Sequence, residues 1–116
     1  MNINVLGHYY ELLIINENEV PEDLKIKLQN STGLCENYTN ELIINNTTFD
    51  PNNYRRIDLL KEKTAIHELL HAYMFKSGAS QLVSAEGEEV IVDMIAINFE
   101  NIVRNRNKIL EVLREE

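Results

Sequence analysis

Between Thr64 and Tyr73 the chain reads TAIHELLHAY, and this run limits the fold more than any other. His67 and His71 lie four residues apart. On a helix that spacing stacks two imidazoles on one face, with Glu68 one step round the axis. Ala65, Ile66, Leu69, Leu70 and Ala72 carry no charge, so such a helix can bury its other faces. The helical pattern runs from about Tyr54 or Ile57 to Ser77, and Gly78 stands where a helix C-cap is expected. Residues 79–87 read as a connection. A second helix is predicted from about Gly87 to Arg114, with a rough apolar stripe at Ile91, Ile95, Asn98, Ile102, Ile109 and Leu113.

The N-terminal half has a different period. Val5–Leu6 and Tyr9–Ile15 read as β-rich, folded as a hairpin around Gly7-His8. Pro21 opens PEDLKIKLQN; Pro and two acidic residues in a first turn favour a helix, although the KIKL alternation also suits a strand. Asn30-Ser31-Thr32-Gly33 is read as a turn. Leu34–Tyr38 and Glu41–Asn45 are read as short strands joined at Thr39-Asn40, followed by an Asn/Asp/Pro-rich loop over Asn45–Asn53. Strands first and two long helices afterwards give an α+β class rather than an alternating parallel sheet.

The chain has 116 residues and is 44% apolar, which fits one domain covering 1–116 with one core. The net charge of -8 argues against nucleic-acid binding. Arg104, Arg106 and Lys108 form the only local basic cluster, read as a solvated helix face. Cys35 is the single cysteine, so no intrachain disulfide can form. It is read as a small buried or half-buried residue, and His8 as a turn residue. The first residues lack a basic n-region and a cleavage site, and no apolar run approaches membrane-spanning length. A cytoplasmic protein without membrane or nucleic-acid partners is expected.

Two imidazoles at i, i+4 can both reach one ion at ~2.0–2.1 Å, and Glu68 can reach a water there as general base. The competing reading is a solvated helix face without metal. A third ligand is needed, and Glu86, Glu88 and Glu89 offer carboxylates downstream. Acidic residues also suit a helix N-terminus, which is the plainer account of Glu88. Glu89 and Asp93 are themselves i, i+4. Glu89 can bind the metal, while Asp93, set among apolar residues, can accept a hydrogen bond from a ligand histidine. The ligand set favours Zn2+, although other divalent ions fit the same atoms.

These residues resemble the zincins. HExxH at His67–His71 followed by ExxxD at Glu89–Asp93 is similar to the gluzincin branch. The resemblance implies Glu89 as third zinc ligand and Asp93 as the partner of His67. The segments NINVLGHYYELLI, GLCENYTNELIIN, AIHELLHAYMFKSG and AEGEEVIVDMIAINFENI resemble small phage- and prophage-encoded metallopeptidases, distantly similar to the ImmA/IrrE-type peptidases. The fold implied is a minimal zincin: a small N-terminal sheet, an HExxH helix and a C-terminal helix carrying the third ligand. The activity implied is peptide-bond hydrolysis, with a peptide or protein as substrate and Glu68 as base. An extended substrate could add to Glu41–Asn45 if that strand is a sheet edge. No histidine follows His71 to steady an oxyanion; Tyr9, Tyr10, Tyr54, Tyr73 and Arg104 are the candidates. The alternative is a metal-bound binding or regulatory module with little turnover.

Overall fold

A computed structural model describes residues 1–29, 31–48 and 57–115. It is α+β: strands β1 (Asn2–Val5), β2 (His8–Ile15), β3 (Gly33–Glu36) and β4 (Glu41–Asn45), and helices α1 (Glu22–Leu28), α2 (Ile57–Lys76) and α3 (Ala85–Glu115). Short 3-10 turns lie at Glu17–Glu19, Asn46–Thr48 and Ala79–Gln81. The expected hairpin forms around Leu6-Gly7, with Val5 opposite His8. The ambiguous Pro21 segment is helical. The Tyr54 end of the expected helix and most of the Asn/Asp/Pro-rich loop lie outside the described residues, as does Asn30 of the expected turn; Gly33 already belongs to β3.

The sheet order is β1-β2-β4-β3, with β2 and β4 parallel and the other pairs antiparallel. β4 is therefore interior, so the condition on which substrate addition to Glu41–Asn45 depended is not met. Leu42, Ile43, Ile44 and Asn45 are buried in succession, as in a strand covered on both faces. The edge on that side is β3.

Helix α2 lies across the sheet, and α3 packs mainly on α2. The core joins Val5, Tyr10, Leu42 and Ala72, with Ile3, Leu12, Cys35 and Leu69 packed against them. Ala72 is fully buried, so a small side chain lets α2 sit close to the strands. The predicted stripe of α3 is only partly covered. Ile91 and Ile95 are half-buried, whereas Ile102, Ile109 and Leu113 are exposed. Among the described residues, no helix is long and apolar enough to cross a membrane.

Asn45 closes one end of this arrangement. It is fully buried, and its amide donates to Glu17 Oε1 (2.7 Å), the Ser31 carbonyl (3.0 Å) and the Leu28 carbonyl (3.3 Å). Its Oδ1 accepts from the Thr47 amide at 3.2 Å. One side chain thus ties the end of α1 and the approach to β3 onto β4. Replacing Asn45 with Ala strands several of these groups without partners. We expect a loss of roughly 2–4 kcal/mol, read as a shifted midpoint in denaturant unfolding.

Candidate metal centre

Helix α2 ends where Gly78 takes a left-handed conformation (φ 83°), open to glycine without the strain a side chain brings. The chain makes one 3-10 turn and enters α3, capped by Ser84, whose Oγ accepts from the Gly87 amide at 3.0 Å. This cap starts α3 at Ala85, two residues before the expected Gly87. The first turns of α3 therefore run beside the histidine face of α2.

His67 Nε2 and His71 Nε2 are 3.2 Å apart. Glu89 places Oε1 2.9 Å from His71 Nε2 and Oε2 3.4 Å from His67 Nε2. Donors held ~2.0–2.1 Å from a tetrahedral centre are spaced about 3.3 Å from each other, and these separations are of that size, with Glu89 meeting each ring through a different oxygen. The outer ring nitrogens face two further carboxylates: His67 Nδ1 is 3.0 Å from Asp93 Oδ1, and His71 Nδ1 is 2.6 Å from Glu88 Oε2.

Two groups could hold a metal ion: His67, Glu68 and His71, and His67, Glu89 and Asp93. The ring nitrogens discriminate between their members. Asp93 sits on the Nδ1 side of His67, away from the Nε2 atoms that converge with Glu89. The structure thus brings together His67, His71, Glu68, Glu89 and Asp93, all singled out in the sequence. Asp93 is not the buried carboxylate its apolar neighbours suggested: its side chain is 56% exposed, and Val90, Met94 and Ile97 beside it are exposed too.

Glu88 is the residue that sequence reasoning passed over in favour of a helix N-terminus. Its side chain is 17% exposed and is held by His71 and by the Ser80 hydroxyl, which donates to Oε1. Burial works to raise its pKa, but the hydrogen bonds from Ser80 and His71 outweigh burial and hold it below the usual carboxylate range. The signal was present as three carboxylates at Glu86, Glu88 and Glu89, but only the placement of one helix against the other decides which one meets which ring.

Glu68 is buried beside the cluster. Burial pushes its carboxyl up to about 7; His71 opposes this and Glu89 adds to it. Its closeness to the sheet edge depends on Gly33. A Cβ there would stand 2.7 Å from Thr64 Cγ2, 2.9 Å from the Ile43 carbonyl and 3.2 Å from Glu68 Cγ. Gly33, Leu34, Thr64, His67, Glu68 and Glu89 border a cleft of about 710 Å³. Lys63 is the one cation among the described residues lining it. Tyr9, Tyr10, Tyr73 and Arg104 do not line it: Tyr10 is in the core, Tyr73 borders a separate apolar groove, and Arg104 borders a neighbouring one. Tyr54 lies outside the described residues. Cys35 is half-buried, and burial followed by the nearby carboxylates of Glu68, Glu36 and Glu88 pushes its thiol up to about 12, which suits a packed thiol rather than a nucleophile or ligand.

No protein-family model matches the chain, and no curated protein or solved structure matches it. The functional reading therefore rests on the cluster's own geometry.

Because Glu68 binds its proton more tightly in the fold than at its ordinary value of 4.5, its contribution to stability is fully present below about 4.5 and is lost as pH rises through about 7. In metal-free protein, Glu68→Gln removes the buried charge. We expect that variant to exceed the parent in stability at pH 8 by up to about 3 kcal/mol, with no such gain at pH 4, in paired urea titrations.

Proposed function

We propose that the chain is a zinc-dependent peptidase of the zincin type, with His67, His71 and Glu89 as ligands and Glu68 as general base. The observation that carries this reading is the convergence of the two Nε2 atoms and the Glu89 carboxylate within 3.4 Å beside a buried carboxylate. Three protein donors leave a fourth position open, the pattern of catalytic rather than structural zinc sites. Zinc in such a site supplies Lewis-acid activation of water and of the scissile carbonyl. Glu68 takes the proton of the attacking water and passes it to the leaving amine, a task suited to a carboxyl whose pKa is raised toward 7.

The peptide enters the cleft along β3, in place of the expected β4. β3 pairs with β4 on one side only, so its other edge offers main-chain groups to an extended substrate. Asp93 accepts from His67 Nδ1 and keeps Nε2 turned to the centre.

One observation favours a second reading, a metal-bound binding module with weak turnover. None of Tyr9, Tyr10, Tyr73 and Arg104 reaches the cleft, so Lys63 is the only described cation available to an oxyanion there.

In the peptidase reading Glu68→Gln retains zinc, measured by elemental analysis, and loses hydrolysis of unstructured peptides by about 10²–10⁴-fold. The parent's kcat/KM rises with pH as Glu68 ionises, with a midpoint drawn below 7 by the neighbouring cation. Zinc retention without any chelator-sensitive cleavage in the parent would leave the binding module as the function.

A further inference from the structure

We propose that Glu88 and Ser80 are positioning residues that hold His71 in its metal-binding orientation, linking the 3-10 turn after α2 to the centre. The inference rests on the metal reading above and extends it to two residues outside the HExxH and ExxxD patterns.

Glu88 uses its two oxygens in different directions. Oε2 meets His71 Nδ1 at 2.6 Å, and Oε1 accepts from the Ser80 hydroxyl. With an ion held at Nε2, a carboxylate on Nδ1 makes that nitrogen the donor and keeps the Nε2 lone pair turned to the centre shared with His67 and Glu89. Glu88 cannot serve as a ligand in this arrangement, because it lies on the side of the ring opposite Nε2. It is also far less exposed than its neighbour Glu89, 17% against 56%, which suits an internal brace.

Ser80 supplies the second anchor. Its turn is fixed by the Gln81 amide donating to the Gly78 carbonyl (3.1 Å) and the Leu82 amide donating to the Ala79 carbonyl (3.0 Å). The hydroxyl therefore comes from a backbone closed on itself, and it limits rotation of the Glu88 side chain. His71 is braced from the helix connection, while His67 is braced by Asp93 one turn further along α3. Each imidazole has its own carboxylate, and the two braces have separate origins.

The test uses the full chain and four variants: Glu88→Ala, Glu88→Gln, Ser80→Ala and Glu86→Ala. Glu86 lies in the same acidic first turn of α3 and contributes the same charge, so it separates positioning from a general effect of acidity near the helix start. Zinc affinity is read by competition with a chromophoric chelator. The exchange rate of the His71 ring N–H is read in metal-free, 15N-histidine-labelled protein. Glu88→Ala is expected to weaken zinc binding by about 10–100-fold and to speed exchange of the His71 proton. Ser80→Ala should do both to a smaller degree, Glu88→Gln should recover part of the loss, and Glu86→Ala should change neither. Parental zinc affinity in Glu88→Ala and Ser80→Ala overturns the proposal, as does an equal loss in Glu86→Ala. A parent that binds no zinc overturns the metal reading. The ring-proton measurement needs no metal, and unchanged exchange in Glu88→Ala then rejects the brace as well.

Discussion

The site depends on two helices being held side by side with their carboxylate and imidazole faces in register. The centre that includes Glu89 needs both helices. α2 offers two nitrogens on one face, and α3 offers the carboxylates that meet them. The reversal between them is fixed by Gly78, the 3-10 turn and the Ser84 cap. A change of a single residue in the length of this connection would rotate α3 by about 100° relative to its entry and carry Glu88, Glu89 and Asp93 away from the rings. The turn is therefore as much a part of the centre as the ligands.

The sheet contributes by approaching α2 closely at one place. Gly33 on β3 lies against Thr64 and Glu68, one helical turn and its neighbour on α2. That contact buries Glu68, and burial is the main cause of its raised pKa. The same strand is the outer edge of the sheet and borders the cleft. A side chain at this position would crowd both Thr64 and Glu68, so the close approach of β3 to α2 here requires glycine.

Much of this was legible in the sequence because it depends on local spacing. The i, i+4 pairs His67/His71 and Glu89/Asp93 have a geometry fixed by helix pitch, and Gly78 marks the break between them. What depended on tertiary arrangement was not. The three-residue apolar run Leu42–Ile44 of β4 was compatible with either an edge or an interior strand, and only its pairing with both β2 and β3 places it inside. Glu88 resembled an ordinary acidic residue of a first helical turn until the helix angle set it against His71. The apolar stripe of α3 was read correctly as a periodicity, but periodicity does not say what covers a face, and beyond Ile95 it is exposed at Ile102, Ile109 and Leu113.

Charge balance bears on whether such a cluster could hold a cation. Glu68, Glu88, Glu89 and Asp93 gather around two imidazoles in a chain whose formal net charge is already -8. Burial withdraws Glu68 from water and is the main cost of ionising it, and the nearby Glu89 carboxylate adds to that cost. Protonation of Glu68 relieves part of this cost, in keeping with its position near 7. A divalent cation at the Nε2–Glu89 triangle relieves more, because it neutralises Glu89 directly and lowers the cost of ionising Glu68. Metal affinity and fold stability are then the same free energy seen from two sides. An acidic, half-buried cluster that would burden a metal-free domain becomes favourable once an ion occupies its centre.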